Sequence, residues 1–232
     1  TTEYIDPEKL TPGIMLSERY RVISRIGRGA FGVIILAEDL MVNEECILKF
    51  LNPQDTSDGN SLERFKHELR YARKVTQKNI IRTYDLLTFG SNYVISMEYF
   101  PSHSLADELV GKTPFEIKRG LNILIDICNG MSAAQAENVV HRDLKPANIL
   151  INDNDVTKIV DFGISAAASQ SDSRLTKNGM LIGTPTYMAP EQAHGRTLDS
   201  RTDIYSLGVI MYEMFTGKPP YSGDYPMATL FM

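Results

Sequence analysis

Eight consecutive residues, His141 Arg142 Asp143 Leu144 Lys145 Pro146 Ala147 Asn148, constrain this chain more than any other stretch. They place a carboxylate base, two cations and an amide able to ligate a metal within one short segment. An apolar run, Ile149 Leu150 Ile151, follows; then comes a polar turn, Asn152 Asp153 Asn154 Asp155, and a second run ending at Ile159 Val160. Two short apolar runs around a polar turn predict a hairpin. Such a hairpin returns Asp161 to the neighbourhood of Asp143 and Asn148, and converging carboxylates need a cation or a proton among them. Asn148 and Asp161 offer too few oxygens for a closed protein cage. That suits Mg2+, which keeps waters and shares phosphate oxygens. Asp143 is then left as a base.

Upstream, a strand pattern from Tyr20 to Ile26 runs into Gly27 Arg28 Gly29 Ala30 Phe31 Gly32, and the β-branched run Val33 Ile34 Ile35 Leu36 follows directly. Glycines so spaced let backbone N–H groups approach phosphate oxygens without interference from a Cβ. A dinucleotide-binding turn would need a helix straight after the last glycine, and here a strand follows. Next, Cys46 Ile47 Leu48 Lys49 Phe50 is an apolar strand holding one lysine, and a lysine on its inward side needs an anion. A phosphate or a later carboxylate could supply it. Leu62, Phe65, Leu69 and Ala72 have helical spacing, and Glu68 lies beside that stripe.

The 232 residues are 43% apolar and 23% charged, the composition of a soluble globular chain. A net charge of −5 argues against a nucleic-acid partner, which calls for a basic face. Cys46 and Cys128 sit in apolar runs without metal-type spacing and read as buried thiols of a reducing compartment. No apolar run reaches membrane-spanning length, and no signal sequence opens the chain. Both ends read as cut: Thr1 is not a methionine, and Met232 ends an apolar stretch with no helix stop.

The octet, together with Asp161 Phe162 Gly163, resembles the signature of the eukaryotic-type (Hanks-type) serine/threonine protein kinases. The likeness runs from about Tyr20 to Met232 and is strongest to bacterial receptor-type members. It implies an α+β, two-lobed fold: residues 1–19 a lead-in lying over the first strands, 20–100 an N-lobe of five antiparallel strands and one helix, 101–232 a truncated helical C-lobe. Strands are expected at Ile80 to Leu87 and Tyr93 to Tyr99. A helix is expected to start at Thr113, with Pro114 in its first turn and Glu116 completing a capping box. Leu121, Leu124, Ile125, Cys128 and Met131 would form its buried face. The run from Thr202 to Phe215 is apolar on nearly every side, which predicts a core helix stopped by Gly217.

The resemblance also assigns roles. ATP would lie against Ile26, Gly27, Gly29, Ala30, Phe31, Gly32 and Ile34 of the glycine-rich loop. Ile47, Met97, the hinge Glu98 Tyr99 Phe100, and Leu150 would complete the pocket. Lys49, paired with Glu68, would hold the inner phosphates, and Asn148 and Asp161 would hold Mg2+. Asp143 would act on the substrate hydroxyl, Lys145 would neutralise the transferred phosphoryl group, and Thr184 would tie Asp143 to the substrate-binding loop. Lys145 matches the serine/threonine-directed pattern. The polar segment from Ser165 to Asn178 corresponds to the activation loop, with Thr176 at the phosphosite and Arg142 its receiver. Asp203 matches the aspartate that holds the catalytic-loop backbone.

Two departures carry expectations. Ile47 stands where the family usually has alanine, which would crowd the roof of the pocket, and Glu191 would lack its usual arginine partner. The implied activity is ATP-dependent phosphorylation of serine or threonine in proteins, including its own activation loop. The implied partners are protein substrates and a second copy for phosphorylation in trans, without nucleic acid or membrane contact. The domain would be cytoplasmic, in a parent protein that can be membrane-anchored. A pseudokinase or nucleotide-binding scaffold is the competing reading, although Lys49, Glu68, Asp143, Asn148 and Asp161 are all present.

Overall fold

The structure is a computed structural model that describes residues 4–29, 32–52, 63, 66, 69–70, 73–162 and 185–221. Its first part is a six-stranded antiparallel sheet. The strands are β1 (Met15–Leu16), β2 (Tyr20–Gly29), β3 (Gly32–Asp39), β4 (Glu44–Leu51), β5 (Thr83–Phe89) and β6 (Asn92–Glu98), in the spatial order β1-β2-β3-β4-β6-β5. Alternation of Val33, Ile35 and Ala37 on one face of β3 with Ile34 and Leu36 on the other gives the strand two apolar faces. One packs into a core of Tyr20, Val22, Val33, Ile35, Leu48, Phe50, Phe89 and Val94. The other looks onto a cavity.

The lead-in residues contribute more than a drape. Leu10 and Leu16 enter that core, β1 forms the sheet edge, and Asn92 brackets Ile5 with two hydrogen bonds of 2.9 and 3.0 Å. In the region expected to be helical, residues 63, 66, 69 and 70 are helical, and Leu69 is buried.

The second part is mainly helical: β7 (His103–Ser104), α1 (Leu105–Leu109), α2 (Ile117–Ala136), the hairpin β8 (Ile149–Ile151) and β9 (Thr157–Ile159), then α3 (Pro190–Ala193) and α4 (Ser200–Thr216). The hairpin expected from the two apolar runs is present, its strands paired antiparallel from Ile149↔Ile159 to Ile151↔Thr157. Asp126 of α2 accepts the Thr157 N–H at 3.1 Å, so the long helix carries the hairpin.

Three expectations are corrected. The helix α2 begins at Ile117 rather than Thr113. Glu116 is itself the cap, accepting the N–H groups of Lys118 and Arg119, while Phe115 donates its N–H to the Met214 carbonyl at 2.8 Å. That bond to α4 holds residues 114 and 115 out of the helix. The buried face of α2 is also rotated: Gly120, Ile123, Leu124, Ile127, Gly130 and Ala134 are inside, whereas Leu121, Ile125 and Cys128 are exposed. Finally, α4 is not covered all round, since Ile204 is 62% exposed and Met211 47%. Its inner face, with Val209, Ile210 and Met214, meets α2 and the turn Pro185–Tyr187. Gly217 ends the helix as expected, at φ +73°; a Cβ there would lie 2.1 Å from the Lys112 carbonyl oxygen.

Candidate active site

The octet forms a loop between α2 and β8, and its backbone is gripped from below. Asp203, in the first turn of α4, accepts the His141 N–H at 2.8 Å with one oxygen and the Arg142 N–H at 2.9 Å with the other. Burial pushes the Asp203 carboxyl above its usual range, opposed by His141 and by those two N–H groups. Arg142 sits at φ +66°, a left-handed conformation that costs a non-glycine residue energy. Its carbonyl accepts Gln192 Nε2 at 2.8 Å, so bonds on both sides hold the turn. His141 is fully buried; its Nδ1 accepts the Asp143 N–H at 3.2 Å and its Nε2 donates to the Val160 carbonyl at 2.9 Å. One ring thus ties the octet to the strand leading into Asp161.

The side chain of Asp143 is nearly buried, with Lys145 Nζ 2.8 Å from its Oδ2. Asn148 Nδ2 donates to the Asp143 carbonyl at 2.8 Å and approaches Oδ2 at 3.4 Å. Asp143 is therefore held by its own loop at both backbone and side chain. Opposite stands Lys49 of β4, with only 3% of its side chain exposed and its Nζ 2.6 Å from Asp161 Oδ1. Asp161 is also left-handed, at φ +66°. A buried lysine needs such a carboxylate, and of the two anions left open by the sequence, a later carboxylate fills the place here.

Between the lobes lies a cavity of about 860 Å³. Ile26, Gly29, Ile34, Ile47, Lys49, Met97, Glu98, Tyr99, Phe100 and Leu150 line it from above, behind and below, and Lys145, Asn148 and Asp161 close its far end. Those positions were singled out from the sequence. Gly27 and Gly32 are not among the lining residues. Gly32 has a packing role instead: at φ +143°, a Cβ would fall 1.7 Å from the Phe50 carbonyl oxygen. Ala30, Phe31, Glu68, Thr176 and Thr184 lie outside the described residues.

Other lining residues escaped the sequence reading. Leu36 lies two residues beyond Ile34, on the same face of β3, so strand periodicity could have found it. Ile81, Val160 and Tyr187 carry no such signal. Tyr187 donates its hydroxyl to Glu213 at 2.6 Å, and burial followed by that bond pushes the phenol well above its ordinary value. Lys158 of β9 pairs with Glu98 at 2.5 Å, a contact between residues 60 apart that only the fold reveals. Glu191, expected to lack its usual arginine, accepts the Thr202 hydroxyl at Oε1, at 2.7 Å.

Comparison with known proteins agrees with this geometry. Residues 20–230 match the protein kinase domain family. A probable serine/threonine-protein kinase of Clostridium acetobutylicum is 35% identical over 216 residues, covering 93% of this chain and 33% of its own. Serine/threonine-protein kinase PknB of Mycobacterium tuberculosis is 34% identical over 220 residues, covering 93% of this chain and 35% of its own. The chain thus spans about a third of the length of these relatives. Among solved structures, the kinase domain of Mycobacterium tuberculosis PknI superposes with a TM-score of 0.74 at 23% identity, covering 93% of this chain and 80% of that one. With the family match running over nearly its whole length, and an antiparallel sheet above a mainly helical lobe, the chain belongs to the protein kinase domain family.

Proposed function

We propose that the chain transfers the γ-phosphate of ATP to serine or threonine hydroxyls of proteins. The observation that carries this reading is Asp143, buried and braced by Lys145 and Asn148, two residues that line the cavity together with the Lys49–Asp161 pair. Phosphoryl transfer asks little covalent chemistry of a protein and much positioning and charge. Asp143 orients the acceptor hydroxyl and takes its proton as the oxygen bonds to phosphorus. Lys145, already against Asp143, offsets charge on the moving phosphoryl group. Lys49 holds the inner phosphates.

Asn148 and Asp161 line the same cavity as Lys49 and offer oxygens of the hard kind that Mg2+ takes. Bound there, the ion would neutralise charge on the phosphates. Ile26, Gly29, Ile34, Ile47, Met97 and Leu150 would enclose the base, with Glu98 and Phe100 at the hinge. Glu68, Thr184, Ala30, Phe31, Gly27 and Gly32 keep their family roles in this reading. Thr176 is the activation-loop phosphosite and Arg142 its receiver. Lobe limits of 20–100 and 101–232 follow the same reading, as do a lead-in over 1–19, a homodimer acting in trans and a cytoplasmic setting. Among the described residues no helix is long and apolar enough to cross a membrane.

The test is transfer of labelled γ-phosphate from ATP with Mg2+, alone and onto a generic basic protein, for the parent and Asp143→Asn. The variant should bind ATP within a few-fold of the parent and lose transfer by at least about a thousandfold, as expected when a group acting in the transition state is removed. Binding without transfer in the parent itself would favour the scaffold reading.

A further inference from the structure

We propose that Lys158 is a positioning residue for nucleotide binding, holding the hinge against the strand that delivers Asp161. This rests on the reading of the cavity as a nucleotide site. Lys158 is not itself among the lining residues, but it touches two that are. Its Nζ lies 2.5 Å from Glu98 Oε1 and 5.4 Å from the centroid of the Phe100 ring. The pair is largely screened from water, with 15% of the lysine side chain and 25% of the glutamate exposed. The second oxygen of Glu98 accepts the Arg82 N–H at 3.1 Å, which fixes the carboxylate from the other side. Ammonium, carboxylate and ring therefore form one cluster, charge paired on one side and π-bound on the other.

The position of the cluster gives it a task. Lys158 and Asp161 are three residues apart, and each is ion-paired to the sheet above: Lys158 to the last residue of β6, Asp161 to Lys49 of β4. The strand between them is stitched as well, since Ile81 donates its N–H to the Ile159 carbonyl and Ile159 donates to Asn79, at 2.9 and 2.8 Å. When phosphates enter, Lys49 and Asp161 must share their charges with them, and that end of the segment exchanges partners. The Lys158–Glu98 end has no such duty. It keeps Glu98 and Phe100 in register with Asp161 while the other pair rearranges.

The experiment compares the parent with Lys158→Met, Lys158→Arg, Glu98→Gln and Lys158→Met/Glu98→Gln, reading ATP·Mg2+ affinity by calorimetry and kcat and KM by label transfer. Lys158→Met should weaken ATP about tenfold and raise KM in step, with kcat within about threefold, the size expected for a partly buried charged hydrogen bond. Lys158→Arg should restore affinity, and the double variant should be no worse than the worse single one. Parent-like ATP affinity in Lys158→Met, or additive losses in the double variant, would overturn the proposal while leaving the nucleotide site standing. A parent that binds no ATP would end both. Should Lys158→Met not fold, the exchange Lys158→Glu/Glu98→Lys decides: regained affinity supports the pairing, and lost affinity in a folded protein refutes it.

Discussion

Asp203 spans the His141 and Arg142 N–H groups with its two oxygens, at 2.8 and 2.9 Å, from the first turn of α4. The loop of residues 141–148 thus hangs from a helix 61 residues further along the chain. Asn at this position keeps one acceptor and turns an N–H toward another N–H. Asp203→Asn should cost about 2 kcal/mol, the loss of a buried charged bond. It should appear as a fall of about tenfold to a hundredfold in kcat with ATP affinity little changed. Equal losses of kcat and ATP affinity would show that the whole cavity, not the loop, depends on Asp203.

Gly32 leaves no room for any side chain. With its Cβ placed 1.7 Å from the Phe50 carbonyl oxygen and φ at +143°, Gly32→Ala must part β3 from β4. Destabilisation of about 3 kcal/mol or more is expected from overpacking plus backbone strain, measured as a shift in the urea midpoint. Gly27, where a Cβ meets nothing within 4 Å, should accept alanine with far less loss of stability.

Asp39 makes a pH-dependent contribution. Two hydrogen bonds from Arg19, at 2.9 and 2.5 Å, hold its carboxyl below the usual range; burial opposes them and the Met41 N–H adds to them. Because the folded value lies below the unfolded one, the contribution is present above the ordinary carboxylate pKa and is lost as pH falls through the folded value. Arg19 is partly exposed, so the contribution is about 1 kcal/mol. The stability difference between parent and Asp39→Asn should be flat from pH 7 to 5 and shrink in acid; a gap that widens on acidification contradicts the pairing.

The two cysteines should separate chemically. Burial, with Asp39 nearby, pushes the Cys46 thiol up to about 11, whereas Cys128 lies exposed on α2. At pH 8 a thiol-reactive dye should label Cys128 within minutes and Cys46 only in denaturant, because the thiolate is the reactive form. Rapid labelling of both in the folded protein would mean that β4 is open to solvent.

Much of the site was legible because its chemistry is local. His141 to Asn148 and the hairpin to Asp161 lie within one short stretch, and turn residues between apolar runs announce a hairpin. On β3 and β4 the resemblance supplied Ile34 and Ile47, while Leu36, on the same face of β3 as Ile34, shows what strand alternation alone could add. The pattern of α2 points to the wrong face because two buried members, Gly120 and Gly130, carry no apolar side chain, while the large residues Leu121 and Ile125 face solvent. Gly120 is there because the Phe215 ring fills its place, with a Cβ only 2.6 Å away. The pairs Lys49–Asp161, Lys158–Glu98, Tyr187–Glu213 and Thr202–Glu191 join separate elements. No local pattern ranks one charged partner above another until the fold sets the distances.

Lys49 and Asp161 are 112 residues apart in the chain and 2.6 Å apart in space. Contacts that close such long loops form slowly and late, since the entropy of closure is lost before the contact rewards it. The site therefore does not exist in any folding intermediate that has completed only the sheet or only the helices. Recovered phosphotransfer during refolding should lag behind recovered helicity, and variants that slow the docking of the two lobes should delay it while leaving its final level unchanged.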